Sequence, residues 1–172
     1  MSANQPRVPN PESQVPRNVT SVGGLVVRDD TLLVVRMSYG PSHGRWMIPG
    51  GLLDPGETLD AAVAREVLEE TGVTARPVGI VGIRTRSEGL NTDNYVLWLL
   101  EPLSGEPTAD EQEIEEARYM PFDEIAERED VVYLVKYLAA RLRDNTIALH
   151  TRATDYTYQF PGTTPDTWKL FV

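Results

Sequence analysis

Five ionisable side chains recur at fixed intervals in the stretch GLLDPGETLDAAVAREVLEETGV, residues 51–73: Glu57, Arg65, Glu66, Glu69 and Glu70. From Thr58 to Thr71 the segment is rich in Ala, Glu, Leu and Arg. It predicts a helix that begins at Thr58 as N-cap and stops at Gly72 in a left-handed conformation. Positions three and four apart share a helix face, so Glu66 neighbours both Glu69 and Glu70. Val63, Ala64, Val67 and Leu68 fill the adjoining sector and are expected to face a core. Three like charges beside a buried stripe oppose the helix unless a cation joins them. Mg2+ suits such a set, because it takes a few carboxylates together with water and substrate oxygens. It also reverses the sign of the interaction with a phosphate, which the carboxylates alone repel. The chemistry such residues can do is to position and neutralise a diphosphate. A charged face that only meets solvent is the competing reading.

Gly51 and Glu57 tip that balance. The pattern G-x5-E-x7-R-E-U-x-E-E-x-G-U, with U apolar, resembles the signature of the Nudix hydrolases, and this chain fills it with Gly51, Glu57, Arg65, Glu66, Val67, Glu69, Glu70, Gly72 and Val73. The resemblance covers about Thr20 to Arg143. It implies an α/β fold, a Nudix-type α/β/α sandwich with a mixed central sheet, with the motif as a loop–helix–loop at one side. It implies that Glu69 and Glu70 are metal ligands, and that Glu66 is a ligand or the group that orients the attacking water. The backbone carbonyl of Gly51 would complete the shell. Arg65 would pair with a neighbouring carboxylate and fix the glutamates; Glu57 is a candidate partner, and a contact of Glu57 with a second metal is its other role. The implied cofactor is Mg2+, with Mn2+ as the alternative ion, and the implied assembly is a homodimer.

A second acidic cluster, Glu111, Glu113, Glu115 and Glu116, precedes Ala117-Arg118-Tyr119-Met120-Pro121. In some members similar to this chain, a glutamate six residues before the aromatic is a ligand or general base. Here that residue is Glu113, with a solvated acidic loop as the plainer reading. Glu116 is assigned to a structural ion pair. Crowded glutamates bind protons more tightly than isolated ones, and metal binding releases those protons, so activity is expected to favour neutral to alkaline pH.

The elements that must position these residues are legible in outline. Val19 to Val27 and Thr31 to Met37 read as strands around an Asp29-Asp30 turn. Ser38 to Arg45 reads as a loop, Trp46 to Ile48 as a short strand and Pro49-Gly50-Gly51 as a turn. Val78 to Thr85 and Tyr95 to Leu100 read as strands joined by a loop, Arg86 to Asn94. Pro102 to Asp110 reads as a polar loop and Ala117 to Met120 as a short strand. Pro121 to Arg128 and Val131 to Arg143 read as helices. Strands on either side of one central helix imply α/β packing. Residues 1–18 form a Pro-rich arm, residues 19–150 the domain, and residues 151–172 an aromatic tail expected to pack on the domain or on a partner subunit.

Composition narrows the function classes. The 172 residues suit one domain with a sizeable core. There is no cysteine, so disulfides, zinc–thiolate sites and thiol nucleophiles are excluded. That fits a reducing, cytoplasmic setting. No apolar run is long enough to span a membrane, and no signal peptide is read at the start. A net charge of −10 argues against binding a nucleic-acid backbone, but not against a nucleotide-type small molecule.

Substrate recognition is less legible. Arg36, Arg45, Arg84 and Arg86 are candidates for holding phosphate oxygens, with ordinary surface ion pairing as the alternative. Tyr39, Trp46, Tyr95 and Trp98 are candidates for stacking on a base; for Trp46 and Trp98 a core position is the stronger reading. His43 lies in the loop before the motif. The expected reaction is hydrolysis of the pyrophosphate bond of a nucleoside diphosphate linked to another moiety. The alternatives are a (d)NTP-sanitising pyrophosphohydrolase and a non-catalytic nucleotide-binding module of the same fold.

Overall fold

The computed structural model describes residues 17–88, 90–110 and 112–151. The Pro-rich arm up to residue 16, the aromatic tail from residue 152, and Glu111 lie outside the described residues.

Strand β1 (Asn18–Arg28) turns at Asp29-Asp30 into β2 (Thr31–Met37). After a short 3-10 turn come β3 (Trp46–Met47), β4 (Gly50–Leu52) and helix α1 (Leu59–Thr71). A long hairpin follows, β5 (Thr74–Glu88) and β6 (Asn91–Ser104), then β7 (Ile114–Pro121), α2 (Phe122–Glu127), α3 (Tyr133–Arg143) and β8 (His150–Thr151).

Strand β1 is the pivot of the sheet. One edge runs parallel to β6 from Asn18 opposite Thr92 to Val26 opposite Leu100. The other edge is divided. Ser21 to Gly23 pair with β4, and Val27 and Arg28 pair with β2. Strand β2 then pairs with β3 and β7, while β6 pairs with β5, whose outer edge carries β8. The single parallel pairing makes the sheet mixed, as expected.

Side chains alternate between the faces of a strand, so two cores form. Val22, Val26, Leu33, Val96, Trp98 and Leu100 meet Ala62, Val63 and Val67 of α1 on one face. Leu25, Leu32, Val34, Tyr95 and Leu97 meet Phe122, Ile125, Val135 and Leu138 of α2 and α3 on the other. Trp46 and Trp98 are both core, as read from the sequence. Among the described residues no helix is long and apolar enough to cross a membrane.

Several boundaries differ from the sequence reading, each for a reason of pairing. Gly50-Gly51 is not a turn but part of β4, because β1 offers it an open edge. The stretch 86–94 is largely strand: the hairpin ladder continues to Glu88 opposite Asn91. Strand β7 begins at Ile114, which is fully buried, so Glu115 and Glu116 lie on a strand rather than in a loop. Thr58 occupies the N-cap position of α1 with extended backbone but makes no side-chain cap bond, while Gly72 stops the helix at φ 67.

The buried stripe of α1 is also rotated from the expected one. Ala62, Val63, Val67 and Thr71 are buried, and Leu68 is 47 % exposed. The column at 63, 67 and 71 sits on the sheet, and the column at 62, 66 and 70 lies beside it. The rotation is set by Gly24 on β1. A Cβ there would stand 2.7 Å from Val67 Cγ2 and 3.1 Å from Leu100 Cδ1, so α1 is seated where only glycine leaves room.

Gly24→Ala should therefore destabilise the fold by about 1–3 kcal/mol by overpacking. Denaturant titration of Gly24→Ala, Val67→Ala and the double variant should show the double costing less than the sum of the singles, since Val67→Ala removes the overlapped atom.

Candidate active site and metal centre

Seating α1 this way brings its acidic column against β4. Gly50 and Gly51 approach it closely: a Cβ at Gly51 would overlap the Glu66 carboxylate. The Gly50 N–H donates to Glu70 Oε2 at 2.9 Å. Glu70 is only 6 % exposed. Burial, with the nearby charges of Glu66, Glu113 and Asp110, pushes its carboxyl up to about 8 against the partial relief of the Gly50 bond. Glu66 is also raised, first by burial and then by Glu69 and Glu113, with Arg65 opposing.

Arg65 ties this face together. Its Nε and Nη2 donate to the two oxygens of Glu57 at 3.1 and 3.0 Å. Its Nη1 donates to Glu66 Oε1 at 2.9 Å and Glu69 Oε2 at 3.0 Å. Nη2 also reaches the Leu52 carbonyl at 3.2 Å. The bonds to Glu57 above all raise the Arg65 guanidinium and, from the other side, lower the Glu57 carboxyl. Arg65 is thus bonded to Glu57, Glu66 and Glu69, with Glu57 as its principal partner.

Of the four motif glutamates, Glu66, Glu69 and Glu70 open into one cleft of about 630 Å3, and Glu57 does not line it. Glu113 enters it from the opposite wall, at the start of β7. Its backbone is held twice: Ser38 N–H donates to the Glu113 carbonyl at 2.9 Å, and Asp110 Oδ1 accepts from the N–H groups of Gln112, Glu113 and Ile114 at 3.0, 3.0 and 2.9 Å. Tyr39 Oη donates to Glu113 Oε2 at 3.2 Å, and the Glu113 charge raises the phenol above its ordinary value. The sequence reading missed Asp110 and the link between Tyr39 and Glu113. An aspartate whose side chain accepts from amides a few residues on is a recognisable turn device, but its service to Glu113 is not visible in one dimension.

The four arginines do not line this cleft. Arg36 lies 3.4 Å from Glu115, which also meets His43 at 3.1 Å. Arg45 donates to the Glu129 carbonyl at 3.1 Å, and Arg84 to Asp93 at 2.7 Å. Arg86 is exposed on β5. Glu116 makes the expected structural pair, 3.5 Å from Arg118.

The donor set suits a hard divalent cation: Glu66, Glu69, Glu70 and Glu113 line one cleft with the Gly51 backbone, and all offer oxygen. As placed, no three acidic or histidine side chains among the described residues form a ready cage. Arg65 stands between Glu66 and Glu69, supplying the positive charge that the cluster needs.

The raised Glu70 carboxyl has a stability consequence. Its folded value lies above its ordinary 4.5, so the metal-free folded state holds a proton that the unfolded chain releases. This contribution is complete below 4.5 and is lost as pH rises towards about 8. In chelator, the melting temperature should fall across that window. Glu70→Gln should flatten the fall, and added Mg2+ should raise the melting temperature most at the alkaline end.

The family profile described as "NUDIX domain" matches residues 17–142. A MutT-like protein from Streptomyces ambofaciens is 34 % identical over 137 residues, covering 77 % of this chain and 82 % of that protein. Nudix hydrolase 7 of Arabidopsis thaliana is 33 % identical over 118 residues, 64 % of this chain; the match spans less than half of that relative, 42 % of its length. The fold matches the solved NUDIX hydrolase from Nitrosomonas europaea with a TM-score of 0.68 at 24 % identity, covering 86 % of this chain and all of that one. A complete motif, a profile spanning most of the chain and a shared fold lead to one conclusion: this protein belongs to the Nudix family.

Proposed function

We propose that the protein is a divalent-metal-dependent hydrolase that cleaves the pyrophosphate bond of a nucleoside diphosphate linked to another moiety. The observation that carries this reading is the convergence of Glu66, Glu69 and Glu70 with Glu113 in one cleft, with Glu70 buried. Burying a carboxylate without a counter-charge is costly, and a cation bound there repays it. A bound Mg2+ or Mn2+ supplies neutralisation of the diphosphate oxygens. The chain supplies the rest. Glu69 and Glu70 hold the ion, and Glu66, pressed on Gly51, is a third ligand or orients the attacking water. Arg65 keeps Glu66 and Glu69 in register through its fork to Glu57. Glu113, which lines the same cleft, would accept a proton from water. Arg36, Arg45, Arg84 and Arg86 lie outside the described lining of the cleft, so a cation held by Glu66, Glu69 and Glu70 would supply the positive charge for the substrate phosphates.

A panel of nucleoside di- and triphosphates, sugar nucleotides, ADP-ribose, NADH, diadenosine polyphosphates and isopentenyl diphosphate, incubated with Mg2+ and resolved by chromatography, tests this. Product is expected from a nucleoside-diphosphate-linked compound with wild type and metal. Glu69→Gln and Glu70→Gln should each lower kcat by about 100-fold or more. Equal turnover in chelator, or in Glu70→Gln, would overturn the reading.

A further inference from the structure

We propose that Tyr39 is the platform on which the cleft receives the planar base of its substrate, a reading that rests on the proposed function and narrows its substrate class. The lining of the cleft is largely anionic: it includes Glu66, Glu69, Glu70, Asp110 and Glu113, and Arg65 is the one cationic side chain among its described lining residues. Arg65 is already bonded to three carboxylates, Glu57, Glu66 and Glu69. Beyond whatever a bound cation would neutralise, the described lining residues offer further phosphates no cation other than Arg65. That disfavours a polyphosphorylated sugar as the second moiety.

The mouth offers a different surface. Tyr39, 53 % exposed, and Leu52, 60 % exposed, come from different elements, the loop after β2 and strand β4. Met37 adds a third apolar lining. Single exposed apolar residues are ordinary on a surface. Tyr39 differs because its hydroxyl is tethered to Glu113, which fixes the tip of the ring. A tethered aromatic ring loses little freedom when a flat ligand stacks on it, and stacking is tolerant of which base is presented. The same tether links base binding to the residue facing the reacting water. Tyr39 therefore has two separable parts: a ring that selects the ligand and a hydroxyl that positions Glu113.

The test measures equilibrium binding of AMP, GMP and UMP against ribose 5-phosphate by calorimetry in Mg2+, with Tyr39→Phe and Tyr39→Ala beside wild type. These ligands share the phosphate and pentose and differ in the base. Wild type should bind the nucleotides more tightly than ribose 5-phosphate by about 5- to 150-fold. Tyr39→Phe, which keeps the ring but loses the tether to Glu113, should weaken that preference, and Tyr39→Ala should erase it without changing the melting temperature by more than a surface substitution does. In turnover, Tyr39→Phe should lower kcat and raise KM for the nucleotide substrate less than Tyr39→Ala does. A nucleotide preference that survives in Tyr39→Ala, or its absence in wild type, overturns the proposal. Because binding is read without turnover, a protein that selects bases through Tyr39 but cleaves no diphosphate would refute the proposed function and leave this inference standing.

Discussion

The site depends on how closely α1 lies against β1. Gly24 removes a side chain at the crossing, and Val63 and Val67 drop into the space. That seating fixes the rotation of the helix. The rotation carries the column of Ala62, Glu66 and Glu70 to the edge of the core, under β4, instead of into solvent. Burial then raises the carboxyls of Glu66 and Glu70. A helix turned by one residue would bury Leu68 and free Glu70, and the affinity of the cluster for a cation would fall with its desolvation. Packing and chemistry are here one constraint.

Electrostatics within the cluster follow from that seating. Two partly buried carboxylates, Glu66 and Glu57, and the more exposed Glu69 share one guanidinium. Arginine's planar fork can satisfy Glu57 with two bonds and still reach the other two, which a lysine cannot do. Glu70 is left out of this network and meets only the Gly50 amide. It is accordingly the carboxylate that a cation would stabilise most. The wall opposite is organised by backbone bonds: Asp110 and Ser38 pin the segment bearing Glu113, so its entry into the cleft is set by the loop's own hydrogen bonds.

Charge distribution also explains what the cleft is not. The chain is acidic overall, and several described arginines outside the motif are paired with carboxylates away from the cleft, such as Arg84 with Asp93 and Arg36 with Glu115. Under the proposed function, recognition of an anionic substrate would fall to a bound cation and to neutral lining such as Tyr39 and Leu52.

Spacing alone determined the motif. Glu66, Glu69 and Glu70 stand at intervals that share one helix face, and with Gly51, Glu57 and Arg65 they fill the family signature, whose resemblance offered Glu57 as a partner for Arg65. Apolar runs in β1, β2 and β6 were readable as strands and the tryptophans at 46 and 98 as core, because local composition reports an apolar element even where it does not say what covers each face. Tertiary structure decided what periodicity cannot hold. Gly50-Gly51 became a strand because β1 had a free edge, and the stretch 86–94 became part of a hairpin because cross-strand pairing outweighed polar composition. Leu68 faced solvent because Gly24, 44 positions earlier in the chain, set the helix's rotation. Asp110, Tyr39 and Glu113 form one arrangement only after β2 and β7 pair. Contacts between residues far apart in sequence leave no periodic trace, and in this protein they are what close the site.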